Sequence, residues 1–205
     1  KLEYVGYQGT GTFTQTGGTN TVTSGTGAIY LGGYGTLETP ISGTGTYNLS
    51  DGSLKANYLR VGDYGSGEFN QTGGTVTLSK SNSAFDLVVG RYTDTVGTYN
   101  LSDGQLSARS EHIGGRGTDN DHTGGTGLFN QSGGTNTITY DLFIGNRDGT
   151  GAYEISGGTL DVGGTLFLGT TGTGHFKIDR DAATIETNGY SQNADSTLEL
   201  LINGI

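Results

Sequence analysis

Tyr58-Leu59-Arg60-Val61-Gly62, followed by Gly67-Glu68-Phe69-Asn70-Gln71-Thr72-Gly73-Gly74-Thr75, is one unit of a pattern that runs along the whole chain. Its first landmark, an aliphatic residue before Gly, stands at Val5-Gly6, Leu31-Gly32, Val61-Gly62, Val89-Gly90, Ile113-Gly114, Ile144-Gly145 and Leu168-Gly169, at intervals of 26, 30, 28, 24, 31 and 24 residues. Repeats of this length are single supersecondary units that cannot bury an apolar face alone and must stack on their neighbours. A second landmark, Gly-x-aromatic, follows each anchor at Phe13, Tyr47, Phe69, Tyr99, Phe129, Tyr153 and Phe176.

Between landmarks the chain reads as short alternations rich in β-branched and aromatic residues, such as Tyr140-Asp141-Leu142-Phe143-Ile144, bounded by Gly clusters. That is the signature of strand, turn, strand, turn. With 41 Gly there is no stretch of helical periodicity, and each Gly weakens a helix interior by about 1 kcal/mol. Three short strands and three turns per unit predict an all-β, right-handed parallel β-helix (a solenoid) of about seven coils of 22–31 residues, in which each strand pairs with its equivalent one coil along. The turns then demand Gly for its positive φ.

Alternate coils differ. Phe coils read Phe-x-Gln-Thr/Ser-Gly-Gly-Thr (Phe13 to Thr19, Phe69 to Thr75, Phe129 to Thr135), and Tyr coils read Tyr-x-Leu/Ile-Ser-Asp/Gly-Gly (Tyr47 to Gly52, Tyr99 to Gly104, Tyr153 to Gly158). The next apolar residue is Leu54, Leu106 or Leu160 after Tyr but Val22, Leu78 or Ile138 after Phe. A large residue in one coil then faces a different partner in the next, as an interdigitated core requires.

The repeats Gly97-Thr98-Tyr99-Asn100-Leu101-Ser102-Asp103-Gly104 and Phe129-Asn130-Gln131-Ser132-Gly133-Gly134-Thr135 resemble the Gly/Thr/Ser-rich coils of bacterial exported β-helix proteins, found in autotransporter-type passengers and large secreted polysaccharide-degrading proteins. The stretch from Gly189 to Leu200 is similar to the segment that closes such arrays, here 177–205. In size and texture the chain is also similar to the parallel β-helical, non-catalytic carbohydrate-binding modules that accompany xylanases. The resemblance implies export, a single 1–205 domain belonging to a longer secreted or cell-surface protein, and xylan as the first glycan to test. It assigns no site residue, because its motifs are turn and core positions.

Composition points the same way. A net charge of -10, with ten Lys and Arg, argues against nucleic acid and anionic membranes, both of which require a basic surface. It also disfavours polyanionic glycans unless Ca²⁺ bridges them, so a neutral polysaccharide is the expected partner. There is no Cys, hence no disulfide or thiolate chemistry, and no apolar run reaches the length that inserts into a membrane. The chain is expected to act as a monomer linked to other domains.

Function is sought on outward-facing positions. Between the inward pairs Ile29/Leu31, Leu59/Val61, Leu87/Val89 and Leu142/Ile144, one residue per coil should point out, giving the column Tyr4, Tyr30, Arg60, Val88, His112, Phe143 and Phe167. Three residues past the anchors a second column holds Tyr34, Tyr64, Tyr92, Arg116 and Arg147. Aromatic faces can stack on sugars and guanidinium groups can bond hydroxyls, so Tyr30, Tyr34, Arg60, Tyr64, Tyr92, His112, Arg116, Phe143 and Arg147 form the candidate carbohydrate-binding set. Two insertions leave the same corner, one holding Leu37-Glu38-Thr39-Pro40-Ile41 and one holding Arg116 to His122. They could wall a groove floored by Arg60, Tyr64, Val88 and Tyr92. Within the second, Asp119, Asn120 and Asp121 offer hard oxygen ligands for Ca²⁺ without EF-hand spacing. No other cofactor is implied.

The sequence also admits other readings. A surface adhesin or passenger spacer needs only repeat length, with the rings as a structural ladder. A polysaccharide lyase or glycosidase needs clustered carboxylates, and the candidates on this face are Glu111 beside His112, Asp63, Asp119 and Asp121, with no acid pair recurring on adjacent coils. Ice binding would use Thr19-Asn20-Thr21, Thr75-Val76-Thr77 and Thr135-Asn136-Thr137, but intervening coils place Lys55 and Asp161 in that array.

Overall fold

The computed structural model describes residues 1–36, 38–79, 86–116, 124–179 and 182–201, all of it strand, turn and bend with no helix among them. Seventeen strands join in one sheet, paired parallel throughout, and a two-stranded antiparallel ribbon stands apart. Three sets of strands stack in register. The anchor set begins Leu2–Val5, Ala28–Leu31, Tyr58–Val61, Leu87–Val89, Glu111–Ile113 and Leu142–Ile144, aligning Val5, Leu31, Val61, Val89, Ile113, Ile144 and Leu168. The ring set aligns Phe13, Tyr47, Phe69, Tyr99, Phe129, Tyr153 and Phe176. A third set aligns Asn20, Leu54, Val76, Leu106, Asn136, Leu160 and Ile185. The described part of 177–205 continues the same pairing, with Ala183–Gln192 on Gly158–Leu168 and Thr197–Leu201 on Thr173–Asp179.

All seven anchor glycines, Gly6, Gly32, Gly62, Gly90, Gly114, Gly145 and Gly169, have φ between +68° and +79°. Any other residue would be strained there. Space excludes a side chain as well, since a Cβ on Gly62 would lie 2.4 Å from the carbonyl oxygen of Val96. The repeat spacing in the sequence is thus the spacing of a left-handed backbone corner.

The core is one apolar column. Phe13, Tyr47, Phe69, Tyr99, Phe129 and Tyr153 stack with ring centroids 4.5–4.9 Å apart, and Phe176 meets Tyr153 edge-on at 5.7 Å. Phe13 departs from its expected core position: it is 37% exposed, with Tyr47 stacked on one face of its ring. The third strands carry two inward positions each. Tyr repeats fill them with large then small, Leu54/Ala56 and Leu106/Ala108, while the Phe repeat between them has Val76/Leu78. Leu54 therefore aligns with Asn20 and Val76 rather than with Val22 or Leu78, and the interdigitation is finer than spacing alone suggests.

The Phe/Tyr alternation has a polar cause. The hydroxyls of Tyr47, Tyr99 and Tyr153 each donate to the amide oxygen of a Gln in the preceding Phe repeat, Gln15, Gln71 and Gln131, at 2.6 Å. Those Gln side chains in turn donate Nε2 to backbone carbonyls, such as Gly74 and Gln105 from Gln71. A buried hydroxyl without an acceptor costs about 1–3 kcal/mol, so a Tyr requires a Gln one layer earlier and the structural unit is a pair of repeats.

Candidate functional site

The outward column of the anchor strands does not stand open. Arg60 is 5% exposed, Val88 0% and His112 1%, and Val88 is buried although it lies outside the apolar core cluster. The expected groove floor of Arg60, Tyr64, Val88 and Tyr92 is accordingly closed at Val88, and Tyr92 is only 9% exposed. Arg60 lines one pocket together with Arg91 and Arg116.

The aromatic members stack on one another. Tyr4 and Tyr30 lie 5.3 Å apart with near-parallel planes, and His112, Phe143 and Phe167 stack at 4.5 and 4.8 Å. A ring inside such a stack offers its edge to solvent, since its faces are already covered. Tyr34 packs edge-on against Tyr4 at 4.9 Å and Tyr30 at 5.0 Å, with Tyr7 at 6.3 Å. Burial, reinforced by Tyr34, pushes the Tyr4 hydroxyl up to about 12. The first insertion braces this cluster, pairing Tyr34 with Ile41 and Gly35 with Pro40 in the antiparallel ribbon. Tyr64 and Tyr92 form a separate tilted pair at 4.7 Å. Burial and the hydrogen bond to Tyr92 raise the Tyr64 hydroxyl further still.

A concave feature interrupts this surface. A pocket of about 210 Å³ is bordered by Thr26, Tyr30, Tyr58, Arg60, Arg91 and Arg116, which come from four successive repeats. Arg60 Nη1 donates to the carbonyl oxygens of Leu59 and Asp86, both at 3.3 Å, and its guanidinium lies 4.9 Å from the Tyr58 ring. Arg91 pairs with the fully buried Asp63 at 2.8 Å and covers the Tyr92 ring at 4.3 Å. Burial, then repulsion from Arg91 and Arg116, pulls the Arg60 guanidinium down to about 9, with Asp63 opposing. Arg91, whose burial works against its charge, is held above the ordinary arginine value by Asp63.

Of the predicted set, the pocket therefore gathers Tyr30, Arg60 and Arg116, while Tyr64 and Tyr92 pair beside its Arg91 wall. His112, Phe143 and Arg147 lie elsewhere: the first two in the second ring stack, and Arg147 half-buried at a turn with φ +52°. Asp119, Asn120 and Asp121, the Ca²⁺ candidates, lie outside the described residues. Among the described residues no three His, Asp or Glu side chains cluster closely enough to hold a metal.

Tyr58 and Arg91 were not in the predicted set. The signal for Arg91 was one Arg close to the anchor in each of three successive repeats, Arg60, Arg91 and Arg116. Glu111 requires a correction of the opposite kind. Expected on the candidate face beside His112, it points inward, is fully buried, and accepts a hydrogen bond from Asn136 Nδ2 at 3.0 Å. Asn136 Nδ2 also lies 3.2 Å from the Tyr153 hydroxyl. Burial pushes the Glu111 carboxyl up to about 8, the Asn136 bond opposes this, and Asp86 adds to it.

No family model, no curated protein and no solved structure matches this chain.

Proposed function

We propose that the chain winds as a right-handed parallel β-helix and serves as a non-catalytic carbohydrate-binding module of a secreted or cell-surface protein, with xylan the first candidate glycan. Three parallel strand sets in continuous register support the winding, and parallel crossovers are right-handed in nearly all proteins. The observation that carries the binding reading is the Tyr- and Arg-bordered pocket of about 210 Å³ on a face whose neighbouring rings stack on one another. A sugar unit can bond to guanidinium groups there while its apolar face meets the Tyr30 and Tyr58 rings. The burial of Glu111 in the core removes one carboxylate from the face that a lyase or glycosidase would need.

The rival reading, a surface adhesin or passenger spacer, gains from the His112–Phe143–Phe167 stack, whose rings serve one another. Affinity electrophoresis on soluble xylans, glucans, mannans and pectins, with and without Ca²⁺, separates the two. Retardation by a xylan is the expected result. Free migration through every glycan would favour the spacer.

A further inference from the structure

We propose that the Arg60–Arg91–Arg116 pocket binds the carboxylate of a sugar acid, a hexuronate carried as a side group on an otherwise neutral polysaccharide. This deepens the carbohydrate-binding reading and rests on it.

Arg60 shares the pocket with Arg116 and with Arg91, whose charge Asp63 meets, and buried charge is stable when something of opposite sign faces it. Arg60 is the critical member. It is almost fully buried, yet its described hydrogen-bond partners are two neutral carbonyl oxygens at 3.3 Å, long for a charged donor. Arg91 is anchored through Nη1 on Asp63, which leaves its Nε a buried donor without a hydrogen-bond partner among the described residues. Guanidinium forks match the planar, two-oxygen shape of a carboxylate. A carboxylate here would meet Arg60 and offset the repulsion it feels from Arg91 and Arg116.

The rest of the ligand follows from the walls and the whole molecule. The volume of about 210 Å³ is that of roughly seven water molecules at about 30 Å³ each, enough for one sugar ring. Tyr30 and Tyr58 border it with aromatic surface that suits the C–H face of such a ring better than a bare inorganic anion. A chain of net charge -10 repels a continuous polyanion, because like charge slows and weakens association. An isolated acid branch on a neutral main chain escapes that repulsion.

The test is titration calorimetry of the full chain with sodium glucuronate, glucose and sodium sulfate at matched ionic strength, alongside electrophoretic retardation by a xylan freed of acid branches. The expected result is saturable 1:1 binding of glucuronate, none of glucose, and weaker binding of sulfate. Arg60→Gln should abolish glucuronate binding. Because Arg60 is buried and that change could disturb folding, the half-buried Arg116→Gln gives the safer reading: about a tenfold loss of glucuronate affinity, the worth of one charge-assisted hydrogen bond, with an unchanged circular dichroism spectrum. Absence of saturable glucuronate binding, or binding that Arg116→Gln leaves untouched, overturns the proposal. Sulfate binding as tight as glucuronate overturns the sugar-acid assignment. Retardation by acid-free xylan without glucuronate binding sinks this inference alone, whereas glucuronate binding without retardation sinks the neutral-main-chain reading and leaves the pocket standing.

Discussion

The Tyr99–Gln71 pair allows a quantitative test of why Phe and Tyr alternate. Both side chains are fully buried, and the hydroxyl donates to Gln71 Oε1 at 2.6 Å. Tyr99→Phe keeps the ring between Phe69 and Phe129, stacked at 4.8 Å on each side, so apolar burial and ring contacts hardly change. What changes is one amide oxygen left without its donor in a dry core, a loss of about 1–3 kcal/mol. Gln71→Leu is the reverse deletion: it strands the Tyr99 hydroxyl and also takes the Nε2 donor from the Gly74 and Gln105 carbonyls, so it should cost more. Leu itself is compatible with the position, since Leu49 and Leu101 occupy it in the Tyr repeats on either side. The double variant loses donor and acceptor together and should be more stable than the sum of the single losses by about 1–2 kcal/mol, within the range for residues in direct contact. Urea unfolding followed by circular dichroism suits a protein with no Trp. Losses that add to within about 0.5 kcal/mol, the behaviour of independent sites, would show that the pair does not set the alternation.

Glu111 predicts a pH dependence. Its folded value, about 8, lies above the ordinary 4.5, so between those limits the folded chain keeps a proton that the unfolded chain releases. Its favourable contribution is complete below about pH 4.5 and is lost as pH rises through about 8, at up to about 1.4 kcal/mol per pH unit. Glu111→Gln should flatten the fall in unfolding midpoint from pH 5 to 9, and parallel curves for the two proteins would contradict the assignment. Phe69→Ala, in the middle of the ring ladder, should cost about 3–5 kcal/mol, and a near-neutral effect on the urea midpoint would mean the ladder does not carry the core. Truncating Tyr64 and Tyr92 together should lower thermal stability as well as any glycan affinity, because Tyr92 is nearly buried under Arg91. An unchanged melting temperature would return both rings to the role of exposed platforms.

The difference between what was legible in the sequence and what was not follows from the distances over which each feature is determined. Anchor glycines and ring positions recur because a backbone corner and a stacked core impose the same local demand in every repeat, so position within the repeat predicts φ at Gly62 and burial at Phe69. The Gln–Tyr bond spans two repeats; its trace was the strict pairing of Phe-x-Gln with a following Tyr, and only the third dimension turns that trace into a hydrogen bond. Alternation also named the residues that leave the core, but facing outward and reaching solvent are separate properties. Val88 faces away from the core cluster and is nonetheless fully buried, and the rings at Phe143 and Phe167 cover each other. Glu111, expected on the outer face, stands instead at the inward register of Leu59 and Leu87, and it is met there: where a repeat places Glu at that position, Glu3 or Glu111, its third strand places Asn20 or Asn136 to bond it, and where it places Leu59 the third strand has Val76. A polar residue at an apolar register is thus matched within its own repeat. Arg60 has no such match: where Arg91 finds the carboxylate of Asp63, Arg60 donates to the neutral carbonyls of Leu59 and Asp86, and that buried charge is where a ligand would complete the site.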